Sequence, residues 1–170
     1  MDYNFTLKYQ RMESEDVDAL VERLGEAGCD DALIGIGQPG RLALAFTRVA
    51  ASAEEAVRSA LADVRQAIPS ARLIEVAPDL VGLTDAAEIM GMSRQNLRKL
   101  MLSHSDSFPA PVHEGSTSIW HLADLLDWMQ HKGYTVPPAV LNLARVAMHV
   151  NVTKHRQRVP SAFAAKWRAC

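Results

Sequence analysis

The fold of the second half of the chain is decided by residues 83–101, which read LTDAAEIMGMSRQNLRKLM. This stretch predicts two short helices joined by a tight turn, with Gly91 as the left-handed residue that ends the first helix. Thr84 and Ser93 are the predicted N-caps, because a hydroxyl oxygen can accept a hydrogen bond from a free backbone N–H group. The stretch is therefore a candidate helix-turn-helix.

The phase of the second helix leaves one of its sides polar. Leu97, Leu100 and Met101 recur at spacings of three and four residues, so we expect them to face the core. The outward side then carries a set of polar residues, namely Arg94, Gln95, Arg98 and Lys99, with Asn96 at its edge and Ser93 at its start. Arginine and glutamine suit paired hydrogen bonds to guanine and adenine, and lysine suits phosphate. The pattern favours binding to double-stranded DNA.

The next residues predict a hairpin and a further helix. Phe108-Pro109-Ala110-Pro111 is a stiff, extended linker, and residues 112–120 indicate a short hairpin with its turn at Glu114-Gly115-Ser116. Ser116 and Thr117 near the tip are candidate contacts, because hydroxyl groups can bond phosphate oxygens. Apolar residues at helical spacing then continue to residue 131.

Together these segments resemble the winged helix-turn-helix of phage and prophage regulators of the excisionase and AlpA type, which are related to the MerR-like DNA-binding fold. The resemblance covers residues 82–131 and is carried by Leu83, Thr84, Ala87, Gly91, Ser93, Arg94, Leu97, Phe108, Pro109, Gly115, Trp120, Asp124, Leu125 and Trp128. It implies that residues 93–102 enter the major groove and that the wing touches the adjacent backbone or minor groove. Glu114 departs from the basic wing of that family, which implies weaker and less salt-dependent binding.

The front of the chain predicts a separate unit with the order strand, helix, strand, strand, helix, strand. The apolar residues that give this order lie in residues 5–9, 17–24, 33–36, 42–46, 56–68 and 73–76. Ser14 is a predicted N-cap, and Ser52 with Glu55 forms a predicted capping box. The order resembles the ferredoxin-like split βαββαβ fold.

The predicted fold class is therefore α+β, with a ferredoxin-like βαββαβ sandwich, a winged helix-turn-helix and a C-terminal helix. The corresponding domains are residues 1–78, 79–133 and 134–170. The front domain could dimerise the protein or sense a small molecule or a protein, since this fold hosts many functions. RNA binding is disfavoured there, because the unit is acidic and offers few aromatic side chains for base stacking.

The charge divides the chain in the same way. Residues 1–80 hold 8 lysine and arginine residues against 14 aspartate and glutamate residues, whereas residues 81–170 hold 10 against 6. From Arg145 onward there are six basic residues and no acidic ones. A basic rear half suits a polyanionic partner, and the basic C-terminal end could add contacts to a nucleic-acid backbone. The apolar stripe of the C-terminal helix indicates that this helix packs against the rest of the chain or forms a dimer interface.

Composition and motifs exclude several other classes. No apolar run is long enough for a membrane span and no signal sequence opens the chain, so we expect a cytoplasmic protein. Cys29 and Cys170 lack metal-ligand or redox spacing, and Cys170 is predicted to be a free thiol. The six histidines include no metal-binding pair flanking a catalytic glutamate, and no nucleophile motif is present. We therefore expect no enzymatic activity, no metal and no cofactor.

The function that these patterns favour is a homodimeric, sequence-specific transcriptional regulator that binds double-stranded DNA. The alternative is a non-enzymatic protein-interaction module, such as an antitoxin or adaptor, that uses its helix-turn-helix to hold a protein partner.

Overall fold

The computed structural model describes residues 1–12 and 16–168 of the chain. The predicted N-cap Ser14 and the predicted free thiol Cys170 lie outside the described residues. The elements, in chain order, are β1 (Asp2–Gln10), α1 (Val17–Glu26), β2 (Ala32–Gly35), β3 (Arg41–Val49), α2 (Ala53–Ala67), β4 (Arg72–Ala77), β5 (Leu80–Val81), α3 (Leu83–Ile89), α4 (Arg94–Ser103), β6 (Trp120–His121), α5 (Leu122–His131), α6 (Pro138–Arg156) and α7 (Ser161–Lys166). None of the helices described here has the length and apolar character that crossing a membrane requires.

A four-stranded antiparallel sheet forms the front of the molecule, with the strand order β2-β3-β1-β4. Strand β1 buries every second side chain on one face, including Phe5, which lies opposite Phe46 of β3 with ring centroids 5.2 Å apart. Leu20 and Leu24 of α1 and Val64 of α2 pack in the same core. The predicted mixed helix-and-strand architecture is confirmed at this level, that of an antiparallel sheet packed with helices.

Two helix starts show which cap predictions hold. The Oγ of Ser52 accepts a hydrogen bond of 3.1 Å from the backbone N–H of Glu55, so Ser52 is the N-cap of α2 as predicted. Thr84 is not a cap, because α3 begins one residue before it and its N-cap is Gly82, which has no side chain to accept a hydrogen bond. The prediction for Thr84 was therefore wrong.

A buried cation closes one end of the sheet core. Arg48 of β3 is 7% exposed, and its guanidinium donates two hydrogen bonds of 2.8 and 2.9 Å to Asp31. It also donates one of 2.8 Å to Asp63 of α2 and one of 2.8 Å to the carbonyl oxygen of Gly28. The hydrogen bonds to Asp31 hold the pKa of Arg48 above its usual value. Arg48 therefore ties the loop after α1 and the helix α2 to the sheet.

A second core lies under α3, α4 and α5. Its fully buried side chains include Leu97 of α4 and Leu125 of α5. The long helix α6 belongs to both cores, since Leu143 faces the sheet core and Ala144 faces the second one. The helix predicted as a separate C-terminal segment is thus packed against both other parts of the chain.

A buried polar network fixes the junction between these parts. Asp79 is 1% exposed, and its carboxylate oxygen Oδ1 lies 2.7 Å from Nδ1 of His121. Its Oδ2 accepts a hydrogen bond of 2.8 Å from Asn151 of α6. Asn151 also pairs with both the N–H and the carbonyl of Val76 in β4, each at 2.9 Å. The network therefore holds β4, β6 and α6 in one arrangement.

Candidate nucleic-acid interface

The tight turn between α3 and α4 sets the angle of the second helix. Gly91 has a φ of 68°, a left-handed conformation that a residue with a Cβ adopts only at a cost. The N–H of Met92 donates to the carbonyl of Ala87 over 2.9 Å, which closes the turn. The Oγ of Ser93 accepts a hydrogen bond of 3.1 Å from the N–H of Asn96. Ser93 is thus the N-cap of α4, as predicted.

Helix α4 is anchored on one side and open on the other. Leu97 is fully buried in the second core, and Leu100 and Met101 are half-buried beside it. The polar residues predicted as the contact surface are all exposed, namely Ser93, Arg94, Gln95, Asn96, Arg98 and Lys99. The helix therefore brings these side chains to one solvent-facing surface, which we call the α4 face. Contact between the α4 face and DNA stays a prediction.

The cations of the α4 face have no partners within the described chain. No carboxylate among the described residues forms an ion pair with Arg94, Arg98 or Lys99. Arg48, by contrast, is fully engaged inside the sheet core. An unpaired exposed cation can bind an external anion without breaking an existing salt bridge, so these three side chains are available for a ligand.

A further residue, which the sequence analysis did not identify, belongs to the α4 face. Leu102 is 63% exposed and lies four residues after Arg98 and seven after Gln95, so it shares their side of the helix. An apolar side chain at such a position can contact a thymine methyl group or an apolar patch on a protein. Its spacing from Gln95 and Arg98 is the sequence signal that identifies it.

The linker after α4 is fixed by two tryptophans. The ring of Phe108 lies 6.2 Å from that of Trp120 and 5.0 Å from that of Trp128, both edge-to-face. The indole N–H of Trp120 donates a hydrogen bond of 2.9 Å to the carbonyl of Pro109. Because the tryptophans hold both Phe108 and Pro109 of the linker, the hairpin that follows starts from a defined position.

The segment that carries the other predicted contacts is a minimal hairpin, closed by one isolated antiparallel bridge between His113 and Ile119. Trp120, which was predicted to end the hairpin, belongs to β6 and pairs with β5 instead. The N–H of Val112 donates to the carbonyl of Ile119 over 2.7 Å, and the N–H of Ile119 donates to His113 over 3.0 Å. Ser116 and Thr117 are both exposed near the tip. The methyl group of Thr117 would lie 3.8 Å from a Cβ placed on Gly82, so the tip rests close to the start of α3.

The two sets of predicted contacts remain separate in the structure. Within the described part of the chain, no hydrogen bond joins the α4 face to Ser116 or Thr117. Any ligand that touches both must therefore span them, as an extended polymer can. Glu114, at the same tip, is exposed and has no cationic partner among the described residues. The hairpin consequently offers hydroxyl groups and one negative charge.

Among the described residues, no group of three or more His, Cys, Asp and Glu side chains could hold a metal ion.

Comparison with family models, with curated proteins and with solved structures found no match to this chain. What the site can do must therefore be inferred from its own side chains.

Proposed function

We propose that the chain is a sequence-specific regulator that binds double-stranded DNA, with α4 in the major groove and the hairpin as a wing on the adjacent backbone. The observation that carries this proposal is the α4 face, where unpaired cations and amides are exposed on a helix anchored by Leu97. A winged helix-turn-helix over residues 79–133 is supported by the tight turn at Gly91 and by the hairpin that follows Phe108.

The side chains of the α4 face suit two kinds of contact with DNA, hydrogen bonds to bases and contacts to phosphates. Arg94 and Arg98 can each donate two hydrogen bonds to guanine, and Gln95 can pair with adenine. Lys99 and Asn96 suit phosphate oxygens. Leu102 can pack against a thymine methyl group one turn beyond Arg98. Ser116 and Thr117 would add backbone contacts from the wing.

The front unit is proposed to be a ferredoxin-like domain that makes the protein a homodimer. The strand order β2-β3-β1-β4 with α1 and α2 on one face supports this fold. On the opposite face Leu33 is 78% exposed and Val49 is 74% exposed, which supports a partner copy there. A dimer would present two α4 helices to half-sites about one helical turn of DNA apart.

The decisive experiment selects binding sites from random duplexes with the full chain, then measures affinity by fluorescence anisotropy. We expect one enriched motif, and we expect Arg94→Ala and Arg98→Ala to relax the preference at separate base pairs, at about 1–3 kcal/mol each. Lys99→Ala should weaken binding equally for all sequences. Arg41→Ala with Arg58→Ala, two exposed arginines of the front unit, is the matched control. Unchanged selectivity in the Arg94 and Arg98 variants would contradict the proposal.

A second function is favoured by Leu102 alone. Protein interfaces place an apolar side chain at the centre and arginines around it, which is the arrangement on the α4 face. An antitoxin or adaptor would use that face to bind a protein. Leu102→Gln separates the two functions, because it would abolish binding to a protein partner but change DNA preference only at one position. Purified complexes from the native host supply the partner for this measurement.

A further inference from the structure

A concave surface lies away from the α4 face and from the hairpin. It is a cleft of about 1320 Å³ between α2, β4 and the C-terminal half of α6, and no residue of α4 or of the hairpin lines it. Ligand pockets in proteins typically measure ~300–1,000 Å³, so the cleft can hold a whole small molecule. The cleft therefore shares no side chain with the α4 face.

The walls of the cleft gather positive charge from three elements. The cationic side chains are Arg65 of α2, Arg72 of β4, Lys154 of α6 and Arg158, which follows α6. His149 and His155 of α6 also line the cleft, and Glu54 is the one carboxylate among the described residues that line it. This concentration is notable because residues 1–80, which supply half of these arginines and lysines, carry a net negative charge.

Three of these four cations are free to bind an external group. Among the described residues, none of Arg65, Arg72 and Arg158 forms an ion pair, and the ammonium of Lys154 donates to the carbonyl oxygen of Ile74. Like charges held around one concavity repel each other, and an anion between them relieves that repulsion. The positive charges around the cleft therefore favour binding of a multiply charged anion.

The floor of the cleft has the opposite character. Ile68 is buried, and Leu61, Val146 and Val150 are half-buried beside it. A purely ionic ligand such as inorganic phosphate would leave this apolar surface unused. A ligand with a flat apolar body and several negative charges would contact both the floor and the rim.

We propose that this cleft binds a small organic polyanion of the nucleoside polyphosphate class. The base would lie on the apolar floor, and the phosphates would meet Arg65, Arg72 and Arg158, whose planar guanidinium groups match phosphate oxygens in pairs. A duplex backbone fits less well, because it presents phosphates and sugars and has no flat apolar group to place on Leu61, Val146 and Val150. The residues involved are not those of the proposed DNA site, so this site stands independently of that function.

Isothermal titration of the full chain at low salt tests the site with ATP, inorganic tripolyphosphate and adenosine as probes. We expect ATP and tripolyphosphate to bind, ATP more tightly because only it covers the floor, and adenosine to show no binding. The variant Arg72→Gln with Arg158→Gln should weaken ATP binding by about tenfold or more. The variant Arg41→Gln with Arg58→Gln removes the same charge from exposed positions outside the cleft and should change it less than about twofold.

Two results would overturn the inference. Equal weakening by both double variants would mean that anions are attracted only by the general charge of the surface. Failure of ATP and tripolyphosphate to bind would also overturn it, and weaker duplex binding in the Arg72 and Arg158 variant would then assign the cleft to a nucleic-acid backbone. Arg94→Ala with Arg98→Ala should leave ATP binding intact, so failure of the DNA function and failure of this site are distinguishable. Circular dichroism confirms that each variant is folded.

Discussion

Replacing Arg48 by methionine tests whether the buried cation holds the end of the sheet core together. Methionine keeps much of the aliphatic length and removes all five hydrogen bonds that the guanidinium donates to Asp31, Asp63, Ser59 and Gly28. Removing one partner of a fully buried ion pair costs about 3–5 kcal/mol. The side chains of Asp31 and Asp63 are 29% and 26% exposed, so water recovers part of that loss. We expect a loss of about 2–3 kcal/mol in the free energy of unfolding.

Urea unfolding followed by circular dichroism measures this loss as a lower midpoint with an unchanged slope. Arg41→Met on the same strand is the matched control, because Arg41 is exposed and its replacement should stay within about 0.5 kcal/mol. Asp31→Asn should cost less than Arg48→Met, since it keeps a polar partner beside the guanidinium. An Arg48→Met protein as stable as the parent would refute this account, because it would mean that desolvation of the cation outweighs its hydrogen bonds.

Three other variants test separate features. Asn151→Ala removes the hydrogen-bond partner of the backbone N–H and carbonyl of Val76 and of the Oδ2 atom of Asp79, and should lower the free energy of unfolding by about 2–4 kcal/mol in the same urea assay. Burial raises the pKa of Cys29 from its ordinary value of 9.0 to about 11. The folded state therefore keeps a proton that the unfolded chain releases, so stability falls as pH rises from 9.0 to about 11, and Cys29→Ala should make that fall shallower. If the hairpin is a DNA wing, Glu114→Lys should tighten binding and steepen its dependence on salt by about one unit of slope, measured by anisotropy over a salt series.

The local parts of the fold could be predicted because short-range physics determines them. The spacing of Leu97, Leu100 and Met101 fixed which side of α4 turns outward, and Ser93 identified where that helix begins. The alternation of apolar residues in β1 likewise identified its buried face. Each of these depends on neighbours within a few positions of the chain.

The features that escaped prediction depend on residues far apart in sequence. Arg48 occupies the buried face of β3, and its partners Asp31 and Asp63 are 17 and 15 residues away. Thr84 lies inside α3, because that helix begins at Leu83, directly after a strand whose partner β6 is some forty residues away in the chain. The cationic cleft joins α2, β4 and the end of α6, and no single stretch of sequence contains it.

The shared helix α6 has a consequence for how the chain is made. Leu141 and Ala144 fill the core under α3, α4 and α5, while Leu143 and Ala147 fill the core of the sheet. During synthesis, both cores stay open on the ribosome until residues beyond 147 have emerged from the exit tunnel. A nascent or truncated chain that stops before Pro138 would present two unfilled apolar surfaces at once, and would be a substrate for chaperones and proteases.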